Sequence, residues 1–376
     1  MISNIAFLDN FREKKVLDDF YKFVSPFVSS SEAILHFCTG NLFGGIEKIL
    51  VNLSKIKIND SKFLHEHGFV LMYPGRLSQE LSGNGVNPFF VGSARRRYPW
   101  QVWAVRRRFK SLLGEVKRGV VIFHSTWTYS LFAKTARKCG FRVGLWMHDL
   151  AKPDGWEDRV CRAIEPELLI ANSLFTSKTA HFLYPNKECH VVYPFISEIS
   201  KLKVNKKNLI RRQFRERIGT PEGKPVILVA ARFDPYKGHC VLFDSLDLIK
   251  DLDWECWVAG EPVIDSELAV SGQLSNKALA FGYSERVKWL GHLSDTDELF
   301  LSADIYCQPN VGPEPFGMVF VEAQQAGCPV VTTGMGGALE TVEENGRNIL
   351  LEKSCPRILA SRLREMLAVT GGPVPR

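Results

Sequence analysis

The stretch DIYCQPNVGPEPFGMVFVEA, residues 304–323, holds one complete strand, loop and helix start. Its first five residues are a short apolar run closed by Pro309, the pattern of a strand buried on both faces. Pro313 and Pro315 then stiffen the loop around Glu314 through their fixed φ angles, and a segment of helical period follows Gly317. Outward from this unit the same alternation recurs along the chain. Strands are expected near 226–231, 255–259, 287–290, 304–308, 329–333 and 348–351, and before them near 34–38, 69–73, 88–92, 120–124, 143–148, 168–171 and 189–193. Short apolar runs separated by helical segments predict an α/β fold with parallel sheets covered by helices.

The 376 residues suffice for two domains. Residues 201–217 are rich in Lys, Arg and Asn and read as a solvated connection. The expected organisation is an N-terminal extension, 1–33, helical over Asn10–Val24 behind an Asn cap; a Rossmann-like domain, 34–198; a linker, 199–223; and a second Rossmann-like domain, 224–376. Ligands of doubly wound sheets bind outside the carboxyl ends of the strands, which places a site in a cleft between two such domains.

Composition excludes several classes. With 45% hydrophobic and 24% charged residues the chain is an ordinary folded protein, neither disordered nor a disulfide scaffold. No run approaches 18 uncharged apolar residues, and no basic segment opens the chain, so a cytoplasmic protein without membrane span or signal peptide is expected. The nine cysteines stand singly, without a CxxC pair, and read as buried reduced thiols. Residues 1–200 carry 27 Lys and Arg against 18 Asp and Glu, whereas residues 201–376 carry 21 against 23. Most of the excess lies in Arg95–Arg118, where nine basic residues and one acid alternate with Tyr98, Trp100, Trp103 and Phe109. Within it, Arg95, Arg96, Arg97, Trp100, Trp103, Arg106, Arg107 and Arg108 suit an anionic membrane surface or a polyanionic acceptor. A solvated helix face is the plainer reading, and nucleic acid is set aside because no nucleic-acid module is present.

Three strand ends carry candidate chemistry. Gly40, Gly44 and Gly45 let backbone approach a phosphate at a helix start, or simply form a tight turn. Arg232 and Lys237, five apart after the strand at 226–231, can clamp a diphosphate or stand as solvated cations. Glu314, rigidly held, is suited to accepting bonds from ligand hydroxyls, and Glu322, eight residues on in an apolar helix, needs a partner such as a core arginine. The triplets Asp251-Leu252-Asp253 and Asp295-Thr296-Asp297 lie in connections and read as surface, and His65-Glu66-His67 lacks a third metal ligand nearby.

These segments, in this order, resemble the retaining family 4 glycosyltransferases of the two-Rossmann GT-B fold, through Gly44-Gly45-Ile46-Glu47, Ala231-Arg232 to Lys237-Gly238, and Glu314 to Glu322. The resemblance covers roughly residues 34–370. It implies a UDP- or GDP-sugar donor as co-substrate, with no other cofactor and no metal. Glu314 would hold the sugar hydroxyls, Glu322 the ribose, and the backbone of Phe316, Gly317, Met318 and Val319 the diphosphate, while Arg232 and Lys237 neutralise the leaving group. His148 would sit over the donor sugar, and Ser173 near it. Gly44 and Gly45 would face the donor, and the N-terminal domain would receive a glycan or lipid-linked acceptor of cell-surface polysaccharide or lipopolysaccharide synthesis, with the protein peripheral on the inner membrane face. Two departures stand out: Ala231 replaces the usual Gly, and the chain ends soon after 356–367 where the family adds a helix crossing back to the first domain, a place the N-terminal helix is expected to take in part. An idle nucleotide-sugar-binding homologue, or a hydrolase or epimerase of the same fold, is the alternative.

Overall fold

The structure is a computed structural model and describes residues 8–29, 32–41, 44–55, 67–151, 155–194, 202–293 and 296–370. The expectations placed on His65, Glu66 and Asp295 lie outside these residues. Two compact units divide the chain, Asp9–Phe195 and Ile196–Arg376.

The N-terminal unit is built on seven parallel strands: β1 (Ala33–Cys38), β2 (His67–Leu71), β3 (Phe89–Phe90), β4 (Gly119–Phe123), β5 (Arg142–Met147), β6 (Leu168–Ala171) and β7 (His190–Val191). Their order is β3-β2-β1-β4-β5-β6-β7. The chain starts in the middle of the sheet and winds outward in both directions, which the right-handed crossover of parallel strands permits with helices on both faces. Alternate residues of β1 divide the two faces. Leu35 and Phe37 face helices Pro99–Val116 and Thr126–Lys138 through Phe109 and Phe132, whose rings lie 5.1 and 4.5 Å from that of Phe37. On the opposite face helix Glu13–Val24 sets its Phe20 ring against Trp146 of β5 at 5.4 Å. That helix begins at Glu13 with Arg12 as its N-cap, not at the expected Asn10, because a short 3-10 turn occupies Asp9–Phe11.

The C-terminal unit has six parallel strands: β8 (Val226–Ala230), β9 (Glu255–Ala259), β10 (Val287–Gly291), β11 (Ile305–Gln308), β12 (Val330–Thr333) and β13 (Ile349–Leu351), in the order β10-β9-β8-β11-β12-β13. β8 and β11 are adjacent at the centre, so the loops that follow them lie side by side. Helix Pro356–Thr370 packs Leu359, Leu363 and Leu367, one face at a spacing of four, into the core of this unit.

One expectation is corrected here. The supposed solvated linker contains helix Val204–Arg217, which packs Phe214 into the C-terminal core with Ile210 and Ile218 against it. Two of its four arginines, Arg211 and Arg215, are not solvated. Arg215, 1% exposed, donates to the carbonyls of Ser302, Pro221, Glu222 and Lys224 at 2.8–3.0 Å and to Asp304 at 2.7 Å, and Arg211 donates to the other Asp304 oxygen at 2.9 Å. The fork of five N–H donors satisfies backbone carbonyls that the fold leaves unpaired. All nine cysteines are free; five are buried and four only partly so, short of the full burial expected. The first Asp triplet is on the surface, with Asp251 held by Arg364 at 2.7 and 2.8 Å and Asp253 by Lys224.

Candidate active site

The chemistry of the C-terminal unit gathers where the loops after β8 and β11 meet. Asp234 accepts from the Tyr236 N–H at 3.0 Å and starts a one-turn 3-10 helix, Pro235–Lys237. Gly238 ends that turn at φ +75° and opens helix His239–Asp247. A side chain at 238 would set its Cβ 2.0 Å from the Pro309 carbonyl oxygen, so only glycine lets the two loops approach. The Val311 N–H donates to the Tyr236 carbonyl at 3.0 Å and fixes their register.

This contact delivers Lys237 to Glu314. The ammonium lies 2.8 and 3.0 Å from the two carboxylate oxygens. Glu314 is 9% exposed, and its Oε2 also accepts from Asn310 at 3.0 Å and Gln308 at 3.3 Å. Gln308 in turn accepts from the Tyr306 hydroxyl at 2.7 Å and donates to Asn310 at 2.9 Å. The Glu314 main chain is held by the Gly337 N–H at 2.7 Å. A carboxylate so supplied with donors keeps its place. Glu322, 4% exposed in helix Met318–Ala326, lies on the same side: burial first, then the charges of Glu314 and Glu322, hold the Tyr306 phenol far above its usual range.

Gly317 caps that helix at φ +92°. A Cβ there would meet the Phe320 ring at 2.4 Å and the Glu314 side chain at 3.2 Å, which leaves glycine as the residue that fits. Phe316 is buried beside it, and Met318 and Val319 form the first helical turn. The positive end of a nine-residue helix therefore starts three residues after Glu314. Arg232 is not brought to this cluster. Its guanidinium, 48% exposed, pairs with the buried Glu267 at 3.3 Å.

In the N-terminal unit Gly44 caps helix Gly45–Ser54, and the Glu47 carboxylate folds back to accept the Gly44 N–H at 2.9 Å. Burial raises the Glu47 carboxyl above its usual range. Ser173 likewise caps helix Leu174–Ala180, accepting from Thr176 N at 2.9 Å, a placement that the helix start alone accounts for. His148 closes β5, 5% exposed, its Nε2 3.0 Å from His124 Nδ1, and burial lowers its pKa to about 3.

The basic aromatic stretch forms helix Pro99–Val116 and the turn before it, with Trp100 and Trp103 both more than 60% exposed. Arg95 and Arg97 are exposed beside it, and Arg107 lies over the Trp103 ring at 5.5 Å. Arg106 and Arg108 turn back to the carbonyls of Leu131 and Val91 at 2.7 and 3.2 Å. Arg96 stacks on Trp156 at 4.0 Å, and Arg96, Trp103, Arg106 and Trp156 border a cavity of about 390 Å³. Trp156 and Glu267 escaped sequence reading as site residues because their partners lie far along the chain, whereas Tyr306, Gln308 and Asn310 belong to the same strand and loop as Glu314 and were read there only as strand and loop. Among the described residues no helix is long and apolar enough to cross a membrane.

Comparison with known proteins places these features. The family model for glycosyl transferases group 1 matches residues 210–370. A phosphatidyl-myo-inositol mannosyltransferase of Mycobacterium leprae is 36% identical over 118 residues, 30% of this chain and 29% of that protein. A mannosylfructose-phosphate synthase of Agrobacterium fabrum is 26% identical over 193 residues, 50% of this chain and 39% of that one. The chain thus spans well under half the length of these curated relatives. Among solved structures, Anabaena HepE in complex with UDP and glucose superposes with a TM-score of 0.76 at 20% identity, covering 91% of this chain and 93% of that one. WaaG, a glycosyltransferase of lipopolysaccharide biosynthesis, gives 0.65 at 14% identity over 89% and 90% of the two chains. The fold is therefore GT-B, and residues 210–370 are similar to the glycosyl transferases group 1.

Proposed function

We propose that the chain is a retaining glycosyltransferase that moves a hexosyl unit from a nucleoside-diphosphate sugar to a glycan or lipid-linked acceptor in cell-surface polysaccharide synthesis. The observation that carries this reading is the Lys237–Glu314 pair at the carboxyl ends of β8 and β11, three residues before a helix start.

An arriving diphosphate competes with Glu314 for the Lys237 ammonium. Glu314 keeps the Asn310 and Gln308 donors, and its released oxygen accepts from a sugar hydroxyl. Lys237 and the N–H groups of Met318 and Val319 then face the phosphate oxygens, where negative charge grows as the glycosidic bond breaks. Arg232 joins them by leaving Glu267, which its exposure permits. Glu322 takes the ribose, and the departing phosphate removes the acceptor's proton. No metal or further cofactor has a part in this scheme. UDP and glucose in HepE, and the mannosyl transfer in the names of the relatives, support a nucleotide-sugar donor.

The acceptor belongs to the N-terminal unit. The cavity beside Arg96, Trp103, Arg106 and Trp156 suits an anionic headgroup, and exposed Trp100 with its neighbouring arginines suits the inner leaflet of a membrane. Transfer of labelled sugar to a glycolipid acceptor, with the product anomer read by NMR, tests the reading: retention of configuration is expected, and an inverted anomer or acceptor-independent hydrolysis contradicts it. Vesicle flotation tests the membrane part, where binding independent of anionic lipid is the contrary result.

A further inference from the structure

The strand order of the N-terminal sheet brings four histidines into one hydrogen-bonded row. His67 opens β2, His36 lies within β1, and His124 and His148 each stand one residue past β4 and β5. In the register His67 faces Ile34, His36 faces Ile122, and Phe123 faces Leu145, one residue before Trp146. Each step to the next strand therefore advances the histidine by two residues. That offset keeps all four on one face, since side chains alternate with a period of two. It also carries the row diagonally from the amino end of β2 to the carboxyl end of β5.

The bonds are continuous. The Tyr21 hydroxyl, from helix Glu13–Val24, lies 2.5 Å from His67 Nε2. His67 Nδ1 lies 2.8 Å from His36 Nε2, His36 Nδ1 lies 2.9 Å from His124 Nε2, and His124 Nδ1 lies 3.0 Å from His148 Nε2. Neighbouring rings are 5.1–5.2 Å apart. Phe20 and Trp146 cover the row, and His36 and His124 are fully buried. The last nitrogen, His148 Nδ1, is buried with no hydrogen-bond partner among the described residues.

A neutral imidazole has one donor and one acceptor. Rings bonded nitrogen to nitrogen cannot choose tautomers separately, because each Nδ1–H requires a bare Nε2 on the next ring. The row has two consistent states, all Nδ1–H or all Nε2–H. Burial keeps three of the rings neutral, with His36 and His124 held well below the usual histidine range and His148 at about 3. Tyr21 decides between the states. Burial pushes its phenol up to about 12, so it keeps its proton, and because a phenol is a strong donor and a weak acceptor while a bare imidazole nitrogen is a strong acceptor, the contact favours donation from Tyr21 to His67. A proton given to His67 Nε2 requires Nδ1–H on His67, and so on to the end of the row.

We infer that Tyr21, His67, His36 and His124 are positioning residues that lock His148 as a neutral imidazole with an Nδ1–H donor at the carboxyl end of β5, ready for an oxygen acceptor on a ligand. A proton passed down the row from Tyr21 would leave a buried phenolate there and a second proton on His148, a buried imidazolium, so the row locks a tautomer and does not conduct. That the acceptor oxygen belongs to the donor sugar rests on the reading above; the lock does not.

The test is nitrogen NMR of the full chain labelled with 15N-histidine, in which long-range couplings assign each ring's tautomer. His36, His124 and His148 are expected as Nδ1–H at pH 7, against the Nε2–H form that free imidazole prefers. Tyr21→Phe removes the deciding donor, and the three rings are expected to change to Nε2–H together. One ring as Nε2–H in the unaltered protein, a cationic ring, or a Tyr21→Phe effect confined to His67 would overturn the proposal. Missing nucleotide-sugar binding with uniform tautomers overturns only the functional reading; mixed tautomers with binding intact overturn only the lock.

Discussion

Lys237 and Glu314 satisfy one another's charge on loops that glycine alone can bring together. A charge-assisted hydrogen bond to a phosphate contributes about 1.5–3 kcal/mol, so Lys237→Ala is expected to weaken nucleoside-diphosphate binding roughly ten- to a hundred-fold in calorimetry. Glu314→Gln keeps the shape and loses the charge; it should lower turnover far more than nucleotide affinity, since the carboxylate serves the sugar. Gly317→Ala acts through the backbone. At φ +92°, with a Cβ 2.4 Å from the Phe320 ring, it should destabilise the C-terminal unit by about 1–3 kcal/mol, read as a lowered unfolding midpoint in urea.

Helix Val204–Arg217 makes the clearest prediction among the elements. Arg215→Ala takes one donor from Asp304, which keeps Arg211 and the Val226 N–H, and removes the Arg215 donors from the Glu222 and Lys224 carbonyls; acceptors left unsatisfied should cost about 1–3 kcal/mol in the urea unfolding of the C-terminal unit. The same helix shows where the sequence was hard to read. Its apolar residues Ile210, Phe214 and Ile218 lie at helical spacing, but six Lys and Arg among its fourteen residues outweighed them, and no local pattern reveals that two of those arginines point inward. All thirteen strands, by contrast, stand within two residues of where their apolar runs begin or end, because a strand buried on both faces leaves an unbroken local signal. The site was legible in the same way up to the strand ends: Glu314, Lys237 and Gly317 were visible as residue types in rigid loops. Their partners were not. Glu267 lies 35 residues from Arg232, and the histidine row depends on strand registers across 24 to 88 residues, so His36, His67 and His124 read as isolated core or surface residues.

The molecule as a whole combines two units with different sensitivities to acid. Folding lowers the pKa of His36, His124 and His148 in the N-terminal unit and of His239, to about 4, in the C-terminal one. Below about pH 6.5 the unfolded chain binds protons that the folded chain refuses, so stability falls as pH falls through that value. Each such histidine should remove about 2 kcal/mol between pH 7 and 5. The raised carboxyl of Glu47 acts in the opposite sense, losing its contribution as pH rises through its folded value, and one acid does not offset three histidines. The N-terminal unit should therefore open first on acidification, measurable by amide exchange in peptides from each unit after a pH 5 pulse.

The central claim is that the C-terminal unit binds a nucleoside-diphosphate sugar through Lys237. A thermal-shift panel of UDP-, GDP- and ADP-sugars and their free diphosphates, on the unaltered protein and on Lys237→Ala, tests it most directly. A ligand at a hundred times its dissociation constant stabilises by about 2.7 kcal/mol. The account predicts a shift with one nucleotide class that Lys237→Ala removes. No shift with any of them in folded protein, or a shift that Lys237→Ala leaves intact, would contradict it.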